Sequence, residues 1–280
     1  MAISASVGGQ ALKGFEIVTL TSDGKDPTIV APAPGGLKMS DFTFTWSPDG
    51  RSIAYPCSKG LNDERYAVCV ANVKTGVNYR LTSAPSTKIE PYAWGPQGEI
   101  VSDCNDRDVC LVNAKTGQLT FVTRTGRSAR DAYVFGDDLV WSPDGRTLAF
   151  TCRRNDQQDR RFCFLTNDGK LTVQSRSWNS VHLEGWTPDS KRIVWRGRFS
   201  GRQPVSYHEQ NVDGSGLEPL PANAAVVGPF YSADGRKRLA PATKGYGLAL
   251  EQVSGRPPRK IIVPANNLIW DYAFQPLHAG

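Results

Sequence analysis

The sequence predicts an all-β repeat fold, because one short phrase that joins an aromatic residue to a turn recurs along the chain. Its copies are Trp46-Ser-Pro-Asp-Gly50, Trp94-Gly-Pro-Gln-Gly98, Trp141-Ser-Pro-Asp-Gly145, Trp186-Thr-Pro-Asp-Ser190, Tyr231-Ser-Ala-Asp-Gly235 and the degraded Phe274-Gln-Pro276. Successive copies lie 48, 47, 45, 45 and 43 residues apart. A period in the forties with one turn signal per unit is typical of the blades of a β-propeller.

Each repeat unit has the pattern of four short antiparallel strands, which is the composition of one propeller blade. In the third unit the predicted strands are 139–141, 147–151, 161–165 and 170–174, and in the first unit they are 41–45, 52–55, 66–72 and 78–82. Proline presets φ, aspartate bonds its own backbone and glycine accepts a positive φ, so the segment 142–145 is predicted to form a hairpin turn.

The two ends of the chain together supply one further blade. Strands are predicted at 3–7, 15–20 and 26–30 near the N-terminus, and one strand is predicted at 268–274 near the C-terminus. Pairing them covers both terminal edges, which would otherwise be open to aggregation. The sequence therefore predicts a single six-bladed β-propeller over residues 1–280, with blades one to five within about 40–264 and blade six split between 1–31 and 266–280.

The six cysteines fall in three pairs at matching places of blades one to three. The predicted disulfides are Cys57–Cys69, Cys104–Cys110 and Cys152–Cys163. In each pair the first cysteine ends the second strand and its partner lies early in the third, where neighbouring antiparallel strands bring β-carbons to about 4.5–5.5 Å. Free buried thiols are the alternative, and a shared zinc site is the least favoured, because its ligands would have to converge on one point.

Disulfides persist in oxidising compartments, so the sequence predicts an extracytoplasmic protein that is secreted, periplasmic or displayed on the cell surface. The net charge is +6, but nucleic acid is not the expected partner outside the cytoplasm. No apolar run is long enough to cross a bilayer. The first residues lack the pattern of a secretory signal, and a longer natural precursor is expected. The protein is expected to be a monomer.

The stretches 46–55 and 141–150, with the pattern Trp-Ser-Pro-Asp-Gly-Arg-x-(Ile/Leu)-Ala-(Tyr/Phe), resemble the repeat of TolB-like six-bladed propellers. The resemblance implies an interaction module whose partners dock at one mouth of the central channel. It also implies that the motif tryptophans pack between blades and that the motif aspartates fix the turns. Gln97, Ser190 and Ala233 depart from the repeat, and no α/β domain precedes the propeller within this sequence, so the role of TolB itself is not implied.

The residues just before each motif aromatic form the best candidate binding site, because the innermost strand of a propeller blade lines the channel. The candidates are Asp41, Glu90, Tyr92, Asp137, His182, Glu184, Trp270, Asp271 and Tyr272, with Asp138 beside them. Together they could hold a basic peptide, a sugar or a divalent cation, although no other cofactor is expected. The alternative for any one of them is an ordinary bond to strand-end amides or channel water, and this alternative is favoured residue by residue.

No residue is predicted to be catalytic, because the chain has no Gly-x-Ser-x-Gly elbow, no His-Glu-x-x-His motif and no phosphate-binding loop. The expected function is recognition of a protein, a peptide or a cell-envelope glycan, for instance as the sensor domain of a membrane-anchored signalling protein. A hydrolase or lyase that uses the channel carboxylates is the first alternative. A lectin is the second.

Arginines 153, 154, 160 and 161 are predicted to lie in the hairpin loop of blade three. Two interpretations are open: a surface patch for an anionic partner, and ordinary solvated loop charge, which is the favoured one.

Overall fold

A computed structural model of the chain describes residues 2–8, 16–21, 28–31, 38–39, 43–58, 66–83, 88–104, 108–122, 133–154, 159–178, 180–198, 205–221, 224–228, 230–232, 235, 237–241, 248–252, 259–261 and 268–274. Over these residues the fold is all-β and contains no helix. It follows that no helix in this part of the chain is long and apolar enough to cross a membrane.

The strands are short and follow the predicted periodicity. In the first half of the chain they are β1 (Ala2–Gly8), β2 (Glu16–Thr21), β3 (Thr28–Ala31), β4 (Lys38–Met39), β5 (Thr45–Trp46), β6 (Ser52–Ser58), β7 (Ala67–Asn72), β8 (Asn78–Arg80), β9 (Ile89–Trp94), β10 (Glu99–Cys104), β11 (Asp108–Asn113) and β12 (Leu119–Phe121). In the second half they are β13 (Tyr133–Trp141), β14 (Thr147–Arg154), β15 (Arg160–Thr166), β16 (Leu171–Val173), β17 (Val181–Trp186), β18 (Arg192–Gly197), β19 (Ser206–Asn211), β20 (Glu218–Pro219), β21 (Lys237–Pro241), β22 (Leu248–Gln252), β23 (Arg259–Ile261) and β24 (Leu268–Phe274).

Within the described ranges these strands pair into six antiparallel sheets, which are numbered here in chain order. Sheet 1 contains β4 to β8, sheet 2 contains β9 to β12, sheet 3 contains β13 to β16, and sheet 4 contains β17 to β20. Sheet 5 contains β21 to β23, and Tyr231 makes an isolated bridge to Arg238 on its inner edge. Sheets 2, 3 and 4 are the four-stranded units that the repeat predicts.

Sheet 6 joins the two ends of the chain. Its strand order is β24–β1–β2–β3, so the last strand lies beside the first. The register pairs Ala5 with Tyr272 and Ala5 with Val18 on its other side.

The core lies between neighbouring sheets, and the motif aromatics are part of it. Trp46 packs with Ile17 and Val30 of sheet 6. The buried Trp186 donates from its indole Nε1 to the carbonyl of Val140, on the preceding repeat, at 2.9 Å. The prediction that the motif tryptophans pack between repeat units is confirmed at these positions.

The motif aspartates in the described residues, Asp49, Asp144 and Asp189, close their turns as predicted. The Ser142 hydroxyl donates to Asp144 Oδ1 at 2.6 Å, and the same oxygen accepts the amide of Arg146 at 3.1 Å. These bonds stabilise the charged carboxylate, so the pKa of Asp144 lies below its usual value. Ser190 takes the place of the turn glycine and still adopts a φ of 63°. Its hydroxyl accepts the backbone amide of Asp144 at 3.0 Å, which links two repeats.

All three predicted disulfides are present, and none of the six cysteines, which all lie in the described residues, is free. The Cα–Cα distances are 5.8 Å for Cys57–Cys69, 6.0 Å for Cys104–Cys110 and 5.9 Å for Cys152–Cys163. The pairs are diagonal and not directly opposite, since each first cysteine faces the residue two positions before its partner. The same offset recurs in three sheets, and these three disulfides are called here the staples.

Candidate functional site

The innermost strands of consecutive sheets lie next to each other in chain order, with β9 between β5 and β13, and β13 beside β17. Two side chains bond across the gaps between them. Thr45 Oγ1 accepts the amide of Trp94 at 3.1 Å, and Asp138 Oδ2 accepts the amide of Leu183 at 3.3 Å. The segments that the sequence predicted to form a binding site are therefore brought side by side.

Each of these inner strands carries an irregularity just before its motif aromatic. The pairing register shifts at Tyr92 in β9, across residues 136–138 in β13, at Glu184 in β17 and at Trp270 in β24. A β-bulge turns a side chain out of the regular alternation, and bulges are frequent beside functional sites. Candidate site residues thus occupy the bulges themselves.

The inner strands run from the disulfide pairs to the motif turns, and the bulges lie between these two ends. The cysteines Cys57, Cys104 and Cys152 are register partners of Met39, Ile89 and Phe135, which precede the bulged segments. The motif turns follow the opposite ends of the same strands. The two ends are called here the disulfide end and the motif-turn end.

Glu90 and Tyr92 form the first described group at the disulfide end. The Tyr92 hydroxyl donates to Glu90 Oε2 at 3.2 Å, and Lys88 Nζ lies 2.6 Å from Glu90 Oε1. The Lys88 ammonium is also 5.3 Å from the ring centroid of Tyr66. The Glu90 side chain is buried and Tyr92 is half-buried, so the tyrosine ring is the part of this group that remains open to a partner.

Asp138 and His182 form the second group, and they come from different sheets. His182 Nδ1 lies 3.4 Å from Asp138 Oδ2, and the His182 side chain is 41% exposed. Asp138 has a φ of 64°, which is uncommon for a residue other than glycine. The strained backbone positions a carboxylate that accepts the Leu183 amide and lies close to the imidazole of His182.

Glu184 lies in a third group that is almost closed to solvent. Its side chain is 3% exposed, and its two oxygens accept bonds from Arg196 Nε, the Tyr231 hydroxyl at 2.9 Å and Arg238 Nε at 3.0 Å. Burial, reinforced by the Glu184 charge, raises the pKa of Tyr231 above its usual range. This carboxylate joins sheet 4 to sheet 5, and both of its oxygens are occupied by the protein's own donors.

The remaining predicted site residues are placed only in part. Asp41 lies outside the described residues. Asp137 lies in the bulged segment of β13, and Trp270, Asp271 and Tyr272 lie in β24, where the structure describes the backbone. Glu90 thus contacts Tyr92, and His182 lies close to Asp138. Glu184 forms ion pairs with Arg196 and Arg238.

Sequence reasoning missed the partners of Glu184, although a signal existed. The residue two positions before the motif aromatic is Phe44 in sheet 1 and Leu139 in sheet 3, and both are buried. An acid at this otherwise apolar position predicts a buried carboxylate, which requires paired donors. In the described part of the chain no group of three or more His, Cys, Asp and Glu side chains is placed to hold a metal ion.

Comparison with solved structures identifies the fold. The crystal structure of TolB from Acinetobacter baumannii superposes with a TM-score of 0.69 at 17% identity, over 98% of this chain and 66% of that chain. The chain has a TolB-type β-propeller fold. It spans about two thirds of the length of that TolB.

Other structural neighbours differ in what their names describe. A chain of a nidogen/laminin complex is 11% identical, with a TM-score of 0.58 over 95% of this chain and 92% of that one. An oligogalacturonate lyase in complex with manganese is 13% identical, with a TM-score of 0.56 over 93% and 72% of the two chains. No protein-family model matches the sequence, and no curated protein matches it. At these identities the likeness shows the fold alone.

Proposed function

We propose that this propeller is a non-enzymatic, extracytoplasmic recognition domain that binds a protein or peptide partner at its disulfide end. The observation that carries the proposal is that Glu90 and His182, the second residues of β9 and β17, lie at the end where disulfides fix the adjoining hairpins, just before the bulges that redirect inner-strand side chains. Binding residues that are held by rigid strands lose less conformational entropy when a partner binds than residues on mobile loops do.

The proposal includes a closed ring of six blades. The six described sheets and the pairing of β24 with β1 support it, since this pairing leaves no terminal strand unpaired. In such a ring the inner strands surround a channel, and the residues just before the bulges lie at its mouth.

The chemistry of the mouth suits a polypeptide partner. Tyr92 offers a half-buried ring with a hydroxyl, and His182 offers a half-exposed imidazole close to the Asp138 carboxylate. Aromatic side chains with a polar tip are frequent at protein interfaces, because they bury area and still form a hydrogen bond. Glu184 contributes indirectly by joining sheets 4 and 5. The predicted roles of Asp41, Asp137, Trp270, Asp271 and Tyr272 remain part of the proposal.

The compartment is inferred from the three disulfides, which are typical of proteins that fold outside the reducing cytoplasm. A secreted, periplasmic or cell-surface protein meets this condition. The sensor domain of a membrane-anchored signalling protein is one architecture that fits it.

Site-specific photo-cross-linking tests the proposal. Benzoylphenylalanine replaces Tyr92 at the disulfide end or, as the matched control, Thr75 in an exposed turn at the motif-turn end. In cells that produce the protein we expect one discrete adduct from position 92 and none from position 75. No adduct at 92, or the same adducts from both positions, contradicts a binding site at the disulfide end.

A lyase or hydrolase is the second candidate, because the Asp138–His182 pair places a carboxylate close to an imidazole base and one structural neighbour is a lyase. Incubation with oligogalacturonate and manganese, followed by product chromatography, distinguishes the two. Turnover that His182→Gln abolishes would replace recognition with catalysis as the function. A glycan array would separate a lectin from both.

A further inference from the structure

The positive charge of the chain is concentrated in one stretch. Residues 152–204 contain eleven Lys and Arg against five Asp and Glu, a net charge of +6 that equals that of the whole chain. The other residues are balanced, with 22 of each kind. Over residues 133–219, which span sheets 3 and 4, twelve Lys and Arg meet eleven Asp and Glu, so the excess belongs to the stretch 152–204 and not to the two sheets as a whole. A local excess of this kind predicts an anionic partner for that stretch.

The four arginines expected in a loop lie in strands instead, so the interpretation as solvated loop charge is wrong in its placement. Arg153 and Arg154 end β14, and Arg160 and Arg161 begin β15. Arg153 is the direct register partner of Arg160. Like charges directly opposite each other destabilise a sheet, and a bound anion relieves this repulsion.

Neighbouring contacts fix several of these side chains in position. Arg161 Nη1 donates to the carbonyls of Gln174 and Ser175. The Arg176 guanidinium lies 4.2 Å from the ring centroid of Trp178, and Trp178 exchanges two backbone hydrogen bonds with Arg160 at 2.8 and 2.9 Å. Arg160 and Arg176 thus both adjoin Trp178.

Four residues at the disulfide end are called here the arginine face: Arg153, Arg160, Arg176 and Arg198. Arg153 and Arg160 share one side of sheet 3 with Trp178, whereas Arg154 and Arg161 belong to the opposite side. Asp159 is an acid beside this face, and it accepts a bond from the Ser177 hydroxyl at 3.3 Å. Every cation of the face is an arginine. The planar guanidinium binds carboxylates in a bidentate manner, whereas lysine acts as a point charge.

We propose that the arginine face binds an acidic peptide segment, rich in Asp and Glu, that belongs to the partner captured at the disulfide end. The inference rests on the proposed function and specifies the chemistry of the partner. Recognition of acidic motifs by arginine clusters is a recurrent mode of peptide binding.

Two observations favour a peptide over other polyanions. Trp178 is buried beneath Arg176, so this ring does not offer a sugar an open stacking surface. Val205 is the large exposed apolar residue described in sheet 4, and a single valine does not anchor a protein in a membrane.

Fluorescence anisotropy with a labelled peptide of alternating Asp and Glu tests the inference. Arg153→Gln with Arg160→Gln is expected to weaken binding about tenfold or more, since two charge-assisted contacts are lost. The matched control, Lys170→Gln with Lys191→Gln, removes the same charge from exposed turns at the motif-turn end. It is expected to bind like the wild type. Arg153→Lys with Arg160→Lys keeps the charge but loses the bidentate geometry, and an intermediate affinity is expected.

Equal losses in the glutamine variant and the lysine control indicate a general charge effect and overturn the inference. It is also overturned if wild-type protein does not bind the peptide, or if polygalacturonate or phosphatidylserine vesicles bind more tightly at equal anionic charge. The unfolding temperatures of the glutamine and lysine variants are measured alongside, so that a lost affinity is separated from a loss of folding. Cross-linking from position 92 is independent of this assay, so a partner captured there without affinity for acidic peptide leaves the proposed function standing.

Discussion

Sheets 3 and 4 stabilise the disulfide end of their middle hairpins by different interactions. At the disulfide end of sheet 3, Cys152 and Cys163 join β14 and β15 by a diagonal bond. The same register positions in sheet 4 hold Gly197 and His208. There the His208 ring lies 4.6 Å from the Trp195 ring, centroid to centroid, and His208 Nε2 is 2.8 Å from the Ser206 hydroxyl.

The difference shows that the fold needs this end fixed but does not need a covalent bond to fix it. Trp195 is fully buried between Phe162 of sheet 3, at 5.9 Å, and Trp178, at 4.5 Å between ring centroids. Buried aromatic rings therefore stabilise the disulfide end of the hairpin in sheet 4, whereas a disulfide stabilises the corresponding hairpin in sheets 1 to 3.

The largest expected effect comes from removing the aromatic centre of sheet 4. Trp195→Ala deletes a fully buried indole from a packed cluster and is expected to lower the free energy of unfolding by about 3–5 kcal/mol. Chemical denaturation measures the loss. A loss as small as that of a surface substitution would mean that sheet 4 does not depend on this stack.

Removing the corresponding staple in sheet 3 is expected to cost less. Cys152→Ala with Cys163→Ala opens a loop with a sequence separation of 11 residues, and a loss of about 2–3 kcal/mol follows from the gain of unfolded-chain entropy. Cys104→Ala with Cys110→Ala, with a separation of 6, is the matched comparison and should lose less. The reverse order in denaturant unfolding would argue against an entropic origin.

A disulfide introduced at the corresponding positions of sheet 4 is not expected to form. A Cβ at Gly197 would lie 2.7 Å from the carbonyl oxygen of Ser180, so Gly197→Cys with His208→Cys must displace backbone. We expect a loss of about 1–3 kcal/mol and two free thiols by titration. A formed disulfide with a raised unfolding temperature would show that sheet 4 accepts either chemistry.

The smallest expected effect is a pH dependence of stability that arises from the aromatic packing in sheet 4. Burial lowers the pKa of His208, so the neutral ring is favoured in the folded state. The neutral His208 ring contributes fully to the free energy of unfolding above the unfolded pKa, about 6.5. This contribution is lost as the pH falls below that value towards the lower pKa of the folded state. Unfolding temperatures at mildly acidic and mildly basic pH should therefore differ more for the wild type than for His208→Gln. An equal difference in both proteins would contradict this role.

Local and periodic features could be predicted from the sequence, whereas contacts between repeats could not. The phrase at Trp186 and the predicted strand 268–274 depend on short patterns, and both occupy the expected places. The cysteine pairs were visible because three repeats place them alike. Their diagonal offset was not visible, since it depends on the register of each hairpin.

The site was harder to predict because its chemistry depends on distant partners. Glu184 meets Tyr231 and Arg238, which lie 47 and 54 residues further along the chain. The placement of Arg153 opposite Arg160 required strands longer than the apolar pattern indicates, since charged residues continue β14 and β15 beyond it.

Amide hydrogen exchange tests most directly whether the disulfide end is the recognition surface. The protein is compared alone and saturated with the partner identified by cross-linking from position 92. We predict slower exchange in β9 and β17, whose bulges carry Tyr92 and Glu184, and unchanged exchange in the turns 73–76 and 114–117 at the motif-turn end. Protection of those turns, with β9 and β17 unchanged, would contradict the assignment.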